Sequence, residues 1–158
     1  MALKRHTSLQ DYSREHHDEL LLVWKIREGF KKNISSQRII DYCIHHYNEK
    51  TSTHMANEEN YILKNLPEND EDRIKVIHEH NEIRALVKSL IENSSDSTRL
   101  LTEFANKLEK HVRYEEREFF PKLQNIFAID VINSMQPAES IVKECSVWKD
   151  TFWEDKGL

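Results

Sequence analysis

Two histidine–glutamate pairs are the residues of this sequence whose spacing most clearly permits chemistry. His54 is followed four residues later by Glu58, and His111 is followed four residues later by Glu115. On a helix, side chains four residues apart lie on the same face. Each pair therefore presents an imidazole and a carboxylate in one direction. Two such helices facing each other would surround a metal ion with nitrogen and oxygen atoms.

The composition of the chain favours long amphipathic helices that would position these pairs. Of the 158 residues, 38% are hydrophobic and 32% are charged, and only two are glycine and three proline. Sheet-rich folds need many tight turns, which this scarcity disfavours, whereas the solvated face of a long helix accommodates many charges. We predict an all-α protein, an antiparallel up-down-up-down four-helix bundle over residues 1–127. Residues 128–158 should form a C-terminal extension that packs on the bundle within the same domain.

Charge and cysteine content argue against several other classes of protein. The formal net charge is −5 and no basic block occurs, so nothing suggests nucleic acid as a partner. No apolar run is long enough to cross a membrane, and the N-terminus lacks the apolar core of a signal peptide. Cys43 and Cys145 stand alone, which argues against a disulfide framework or a zinc–thiolate site. We expect a cytoplasmic protein without nucleic-acid or membrane partners.

Turn and capping residues predict where the four helices begin and end. The first helix should begin near Ser8, with Asp11 three residues later in a capping-box role. It should end between Gly29 and Asn33. The second helix should run from Ser35 or Ser36 to the residue before Pro67. The third should run from Asn69 or Asp70 to the polar turn 93–97, and the fourth should begin after this turn.

Apolar residues at steps of three and four predict which side of each helix faces the bundle axis. In the first two helices these positions are Tyr12, His16, Leu20, Val23, Arg27 and Phe30, then Ile40, Cys43, Tyr47, Thr51, His54, Glu58 and Tyr61 or Ile62. In the last two they are Val76, His80, Ile83, Val87 and Leu90, then Leu101, Phe104, Leu108, His111, Glu115 and Phe119 or Glu118.

The C-terminal extension is less regular but carries large apolar side chains. Residues after Pro137 are predicted to form a short helix that holds Ile141 and Val142. Beyond it, Trp148, Phe152 and Trp153 are too apolar to remain in water. We expect these three side chains to pack on the bundle or on a protein partner.

Histidines and glutamates interrupt the inward face of all four predicted helices. The set is His16, His54, Glu58, His80, His111 and Glu115. Burying ionised carboxylates without partners is strongly unfavourable, and a bound metal would remove the conflict by offsetting their charge. Six ligands exceed the four of a tetrahedral zinc site. They suit two first-row metals that share the carboxylates, and imidazole with carboxylate matches iron, manganese or zinc.

These residues give the chain a resemblance to the hemerythrin-like, HHE cation-binding family. The matching elements are Lys-Arg-His at 4–6, Ser-Arg-Glu-His-His at 13–17, His-Met-Ala-Asn-Glu-Glu at 54–59, Glu-His-Asn-Glu-Ile at 79–83 and the stretch 111–121 that begins His-Val-Arg-Tyr-Glu-Glu. The resemblance implies a four-helix bundle with a non-haem di-iron centre. It also implies terminal ligands at His16, His54, His80 and His111, and bridging carboxylates at Glu58 and Glu115.

The sequence departs from the oxygen-carrying members of the family in two places. Those proteins have two histidines one turn apart in the third helix, whereas His78 and His80 are two residues apart and cannot share a face. They also place an aspartate where this chain has Glu116. The set of four histidines and two glutamates resembles the family's iron-handling, redox or sensing members. It therefore argues against simple reversible oxygen storage.

Several assignments remain in competition at the level of sequence. His16 competes with His17, and His80 competes with His78; the apolar stripe and the family motif favour His16 and His80. Glu59 and Glu116 follow the two ligand glutamates but point about 100° away from them on an α-helix, so we expect them to be solvated or salt-bridged. Metal-bound histidines usually donate their second N–H to an acceptor, which the sequence does not identify.

The most direct functional prediction is a cytoplasmic di-iron protein whose metals bind or react with dioxygen, nitric oxide or peroxide. The alternative is a metal-dependent sensor or interaction module without turnover, in which the segment from Trp148 to Trp153 is a candidate output surface. A helical bundle without metal is the third possibility. The sequence indicates no catalytic nucleophile and no nucleotide-binding loop, and it identifies no protein partner.

Overall fold

Every regular element in the described part of the chain is helical. The computed structural model describes residues 4–92, 95–138 and 147–154, and no strand occurs within these ranges. We label the helical segments α1 (Thr7–Lys31), α2 (36–65), α3 (Glu71–Glu92), α4 (97–126) and α5 (Ile129–Asn133). The predicted all-α class is confirmed. None of the described helices is both long and apolar enough to cross a membrane.

The limits of the helices follow from local capping. The predicted role of Asp11 is wrong: α1 begins at Thr7, and the Nδ1 atom of His6 accepts a hydrogen bond of 3.1 Å from the backbone N–H of Ser8. At the other end, Asn33 adopts a left-handed conformation with φ of 55°, a common way to terminate a helix. As predicted, Asp70 caps α3, because its Oδ1 atom accepts from the N–H of Arg73 at 3.0 Å.

Segments α2 and α4 are not continuous α-helices. Segment α2 contains π-helical turns at Tyr47–Thr51 and Glu58–Ile62, and it closes with a 3₁₀ turn at Leu63–Asn65, before Pro67 as predicted. Segment α4 contains a π-helical turn at Glu115–Phe119 between Ser97–Tyr114 and Phe120–Ile126. Such turns insert a residue into the helix and often occur at functional sites. Two of the three begin at a glutamate of the histidine–glutamate pairs.

The contacts between neighbouring long segments follow opposite directions along the chain: the later a residue lies in one segment, the earlier its partner lies in the other. Arg5, just before α1, pairs with Glu116 of α4, and Arg27 near the end of α1 pairs with Glu109 of α4, both at 2.9 Å. Between α3 and α4, Asp72 pairs with Lys122 and Glu82 pairs with Lys107. This order supports the predicted antiparallel arrangement, while the complete up-down-up-down topology stays a prediction.

Two apolar clusters fill the interior, with a polar layer between them. One cluster contains buried residues from the end of α1, the middle of α3 and the first half of α4, such as Ile26, Ile83 and Phe104. The other contains Leu9 and Tyr12 from the start of α1 and residues from the end of α4. On α1 and α3, the buried histidines and glutamates lie between the residues of the two clusters along the helix.

Most predicted inward positions are buried, but those of α1 were partly wrong. All five positions predicted on α3 are buried. On α1, Arg27 is exposed and pairs with Glu109, whereas Ile26 is buried. Glu19 is buried and the predicted neighbour Leu20 only half-buried. Steps of three and of four residues both fit a period of 3.6 residues, so the sequence pattern permits Glu19 as well as Leu20 after His16.

The aromatic residues of the C-terminal extension pack on the bundle. Phe152 is buried, and the ring centres of Trp153 and Tyr42 are 4.8 Å apart. Trp148 also contacts the ring of Tyr42, at 5.7 Å. The predicted helix around Ile141 and Val142 lies outside the described residues, as does Cys145, and the domain boundary at residue 127 stays a prediction.

Candidate metal centre

The six predicted site residues meet in the polar layer. They come from all four long segments, and none is more than 2% exposed: His16, His54, Glu58, His80, His111 and Glu115. Each histidine directs its Nε2 atom toward the two carboxylates. The structure therefore brings the whole predicted set together, although their role as metal ligands stays a prediction.

The first half of the centre is formed by His16 and His54. The Nε2 atom of His54 lies 2.8 Å from Oε1 of Glu58, and that of His16 lies 3.3 Å from the same oxygen. The Nε2 atom of His16 also lies 2.8 Å from Oε2 of Glu115. Two imidazole nitrogens thus face one oxygen from each carboxylate.

The second half is formed in the same way by His80 and His111. The Nε2 atom of His80 lies 3.0 Å from Oε2 of Glu58, and that of His111 lies 2.9 Å from Oε1 of Glu115. In each half, the four ligand atoms lie within 4.8 Å of one another. Because Glu58 and Glu115 each turn one oxygen to either half, they have the arrangement of carboxylates that bridge two ions.

Buried polar atoms in the centre lack hydrogen bonds. The Nε2 atoms of His54 and His111 and both oxygens of Glu115 have no hydrogen-bond partner among the described residues. Their neighbours are close enough for ion pairs but not in hydrogen-bonding directions. Unsatisfied buried groups of this kind are costly and rare. A donor set of two imidazoles and two carboxylate oxygens in each half fits first-row metal ions, which would satisfy these atoms.

A second carboxylate holds the outer nitrogen of every histidine in the centre. The Nδ1–Oε1 distances are 2.6 Å for His16 and Glu116, 3.2 Å for His54 and Glu15, 2.8 Å for His80 and Glu59, and 3.4 Å for His111 and Glu79. An ionised carboxylate can only accept, so each Nδ1 carries the proton and donates. Nε2 is therefore the nitrogen that would bind a metal, once the metal has displaced its proton.

The prediction for Glu59 and Glu116 was therefore correct but incomplete. Glu59 pairs with Arg84 and Glu116 with Arg5, both at 2.9 Å, as expected for salt-bridged residues. In addition, these glutamates orient His80 and His16. A signal was present in the sequence, since a second glutamate follows the ligand glutamate in both pairs.

The centre has an internal two-fold pattern that extends beyond the two histidine–glutamate pairs. The residues before His16 and His80 are Glu15 and Glu79, and each accepts from a histidine of the neighbouring segment. The residues after Glu58 and Glu115 are also glutamates, and each accepts from His80 or His16. The two halves thus have the same inner and outer groups.

Charges within the layer balance one another in the absence of metal. Burial lowers the pKa of His16, but the adjacent carboxylates of Glu115, Glu116 and Glu58 outweigh it and leave the pKa well above its usual value. Conversely, burial raises the pKa of Glu58, while the charge of His54 and the adjacent imidazoles of His16 and His80 bring it well below the usual value. Protonated histidines therefore neutralise the carboxylates, and bound metal would replace those protons.

The competing histidines lie outside the centre. His17 is exposed. His78 is also exposed and pairs with Glu82 at 3.1 Å. His46 is buried, but its Nδ1 atom lies 3.1 Å from the hydroxyl of Thr51 rather than near the carboxylates. The choice of His16 and His80 from the sequence agrees with this geometry.

One buried carboxylate near the centre was missed by the sequence analysis. Glu19 is 2% exposed, and its two oxygens have no hydrogen-bond partner among the described residues. Burial raises the pKa of its carboxyl group, and the nearby His54 and His16 act in the opposite direction. Its position three residues after His16 was the available signal, since such residues share a helix face.

An all-helical fold with a buried histidine–glutamate cluster defines a metal-binding helical protein. Comparison with known families gives the particular family. The model of the hemerythrin HHE cation-binding domain matches residues 7–123, and the chain belongs to this family. The match confirms the resemblance found in the sequence motifs. No curated protein and no solved structure matches the chain.

Proposed function

We propose that this protein binds two iron ions in the centre and that the loaded centre binds or reacts with a small ligand such as dioxygen, nitric oxide or peroxide. One observation carries the proposal. Glu58 and Glu115 each direct one oxygen to the His16–His54 half and the other to the His80–His111 half. This double use of both carboxylates is what a pair of bridged ions requires.

The proposal assigns a role to each of the six residues. His16 and His54 would hold one ion, and His80 and His111 would hold the other. Glu58 and Glu115 would bridge them. Iron would supply open coordination positions and a change of oxidation state. Two imidazoles and two oxygens leave positions free on iron, whereas they would complete the coordination of tetrahedral zinc. Zinc or manganese would fit the same donors, but reactivity toward small ligands favours iron.

The surroundings of the centre would keep bulk water away from the ions. The ring of Phe120 stacks on His16 with 5.4 Å between ring centres, and Tyr12 packs edge-on against His54 at 6.0 Å. Both aromatic residues are fully buried. Together with the apolar clusters on either side, they provide a pocket of low polarity around the carboxylates, in which electrostatic interactions are strong.

Metal analysis and absorption spectroscopy of the purified full chain test this proposal. After iron-supplemented expression we expect two equivalents of iron and near-ultraviolet absorption from ferric iron. Glu58→Gln and Glu115→Gln should each lose at least one equivalent. The exposed His78→Gln is the matched control and should retain two. Fewer than two equivalents in the wild-type protein would reject the di-iron proposal, and silent spectra with two zinc ions would reject iron.

The alternative function, a metal-dependent sensor or interaction module, is favoured by the origin of the ligands. They come from all four long segments, so metal loss would loosen the contacts between every pair of them. Trp148 and Trp153 pack on Tyr42 near the end of α2 that lies away from the ligands. Under this alternative, removing iron should change tryptophan fluorescence and expose the segment to proteases. Identical fluorescence and cleavage with and without iron would exclude it.

A further inference from the structure

One buried acid breaks the two-fold pattern of the centre. Each half has two histidines, one oxygen from each bridging carboxylate and two outer glutamates, but Glu19 has no place in this scheme. It is 2% exposed, and neither of its oxygens has a hydrogen-bond partner among the described residues. A carboxyl group in this situation lowers the stability of the fold. Its presence therefore calls for a role that the fold alone does not provide.

Helix geometry locates Glu19 relative to the ligands. It follows His16 by three residues, which puts both side chains on one face of α1 about 4.5 Å apart along the axis. On the opposite side of His16, the hydroxyl of Tyr12 lies 3.5 Å from the carbonyl oxygen of Asn57, the residue before Glu58. Tyr12 and Glu19 therefore lie on opposite sides of His16 along α1.

The equivalent position in the other half carries an apolar residue. The two-fold pattern relates His16 to His80, so the residue related to Glu19 is Ile83, three residues after His80. Ile83 is buried and belongs to the apolar cluster on that side of the layer. The same inward position thus has a carboxyl group in the His16–His54 half and a hydrocarbon side chain in the His80–His111 half.

Glu19 is not a further ligand in the observed arrangement. The groups whose ligand atoms lie within 4.8 Å of one another contain the four ligand residues of each half but not Glu19. The charges of His54 and His16 nevertheless act on its carboxyl group. Glu19 therefore lies near the His16–His54 half without belonging to its group of ligand residues.

We propose that Glu19 is a specificity-determining residue: its carboxyl group contacts a small ligand on the ion held by His16 and His54, while Ile83 offers no such contact in the other half. A carboxyl group can hydrogen-bond a ligand that carries hydrogen, such as water or hydrogen peroxide. The ions are consequently inequivalent, and the hydrogen-bonding ligand occupies the Glu19 half. This inference rests on the proposed di-iron function.

Mössbauer spectroscopy of the full chain loaded with iron-57 tests the inference, because each distinct iron environment gives its own quadrupole doublet. For the diferric wild-type protein we expect two doublets with different splittings. Glu19→Ile gives both halves the same residue and should bring the splittings together. Glu19→Gln keeps the shape and a hydrogen-bonding group, so two doublets should persist with a shifted splitting for one of them. Ile83→Val, an apolar replacement in the other half, should leave the two-doublet pattern intact.

The outcomes separate this inference from the function on which it rests. Fewer than two iron equivalents in the wild-type protein would overturn both. Two equivalents with a single wild-type doublet would overturn the inference alone, as would spectra of Glu19→Ile and Glu19→Gln identical to the wild type. If Glu19→Ile fails to fold, Glu19→Gln decides: a shift confined to one doublet supports the inference, and an unchanged spectrum overturns it.

Discussion

At the residue scale, the outer glutamates determine the orientation and tautomer in which each imidazole would bind a metal. Glu15, Glu59, Glu79 and Glu116 each accept a hydrogen bond from the Nδ1 atom of one histidine of the centre. Such partners fix the tautomer and the ring orientation and increase the basicity of Nε2. Arg5 and Arg84 hold two of the four glutamates in place by salt bridges. His16 and His80 are therefore each oriented by a chain of contacts through a glutamate to an arginine.

Replacing Glu116 by alanine should weaken metal binding without removing a ligand. The change deletes the acceptor of His16, and loss of such a partner typically lowers metal affinity about 10- to 100-fold. A competition titration with a chelator measures the affinity. Glu118→Ala, an exposed residue in the same π-helical turn, is the control and should bind as the wild type. Equal affinities for the two variants would show that Glu116 does not act through His16.

His46 should make the metal-free protein less stable in acid. Burial, followed by the charge of Lys50, lowers its pKa to about 4, whereas an unfolded histidine titrates near 6.5. Between these values the unfolded chain binds a proton that the folded chain does not, so this contribution to stability is present above pH 6.5 and is lost as the pH falls through 4. The difference corresponds to about 3 kcal/mol.

Urea unfolding of metal-free protein between pH 7 and 4 checks this prediction. His46→Gln removes the titrating group, so its free energy of unfolding should fall less steeply with acid than that of the wild type. His17→Gln, which removes an exposed histidine, is the control. Parallel curves for the wild type and His46→Gln would contradict the assignment.

The elements of the bundle show why some features can be predicted from sequence and others cannot. On α3, apolar residues and His80 follow one unbroken period, and every predicted inward position is buried. The π-helical turns each insert one residue, but steps of three and four residues in the sequence also fit an uninterrupted α-helix, so these turns were not predicted. The burial of Glu19 was not predicted, and carboxylates are rarely buried. The six central residues were predictable because ligand chemistry and helical period selected the same positions.

Gly29 provides a test of packing between α1, α2 and the C-terminal extension. An alanine Cβ atom there would lie 2.7 Å from Cδ1 of Ile39 and 3.0 Å from the ring of Phe152. Alanine would improve helix propensity by about 0.8–1 kcal/mol, but overpacking typically costs about 1–3 kcal/mol. We expect Gly29→Ala to lower the free energy of unfolding by about 1 kcal/mol.

A double-mutant cycle with Ile39→Ala identifies the source of that loss. Removing the side chain of Ile39 leaves room for the new methyl group, so Gly29→Ala should cost less in this background than in the wild type. Denaturant unfolding of the four proteins gives the coupling energy. Additive effects would mean that the contact with Ile39 does not determine the cost.

At the scale of the whole molecule, the polar layer divides the core into two apolar clusters. Each cluster joins residues from several segments, and the buried histidines and glutamates lie between them on α1 and α3. Without metal, the layer contains buried atoms that lack hydrogen bonds. A bound metal would satisfy these atoms. Because the six predicted ligands come from all four long segments, metal binding would be coupled to folding.

Iron should accordingly raise the unfolding temperature of the entire bundle. A ligand that binds only the folded state at 100 times its dissociation constant adds about 2.7 kcal/mol, which corresponds to about 5–10 °C for a domain of this size. Anaerobic calorimetry with ferrous iron and after chelation measures the shift. His111→Gln should lose most of it, because one ligand of the second half is missing, while His78→Gln should retain it. If iron shifts both variants equally, the stabilisation arises from surface carboxylates and not from the centre.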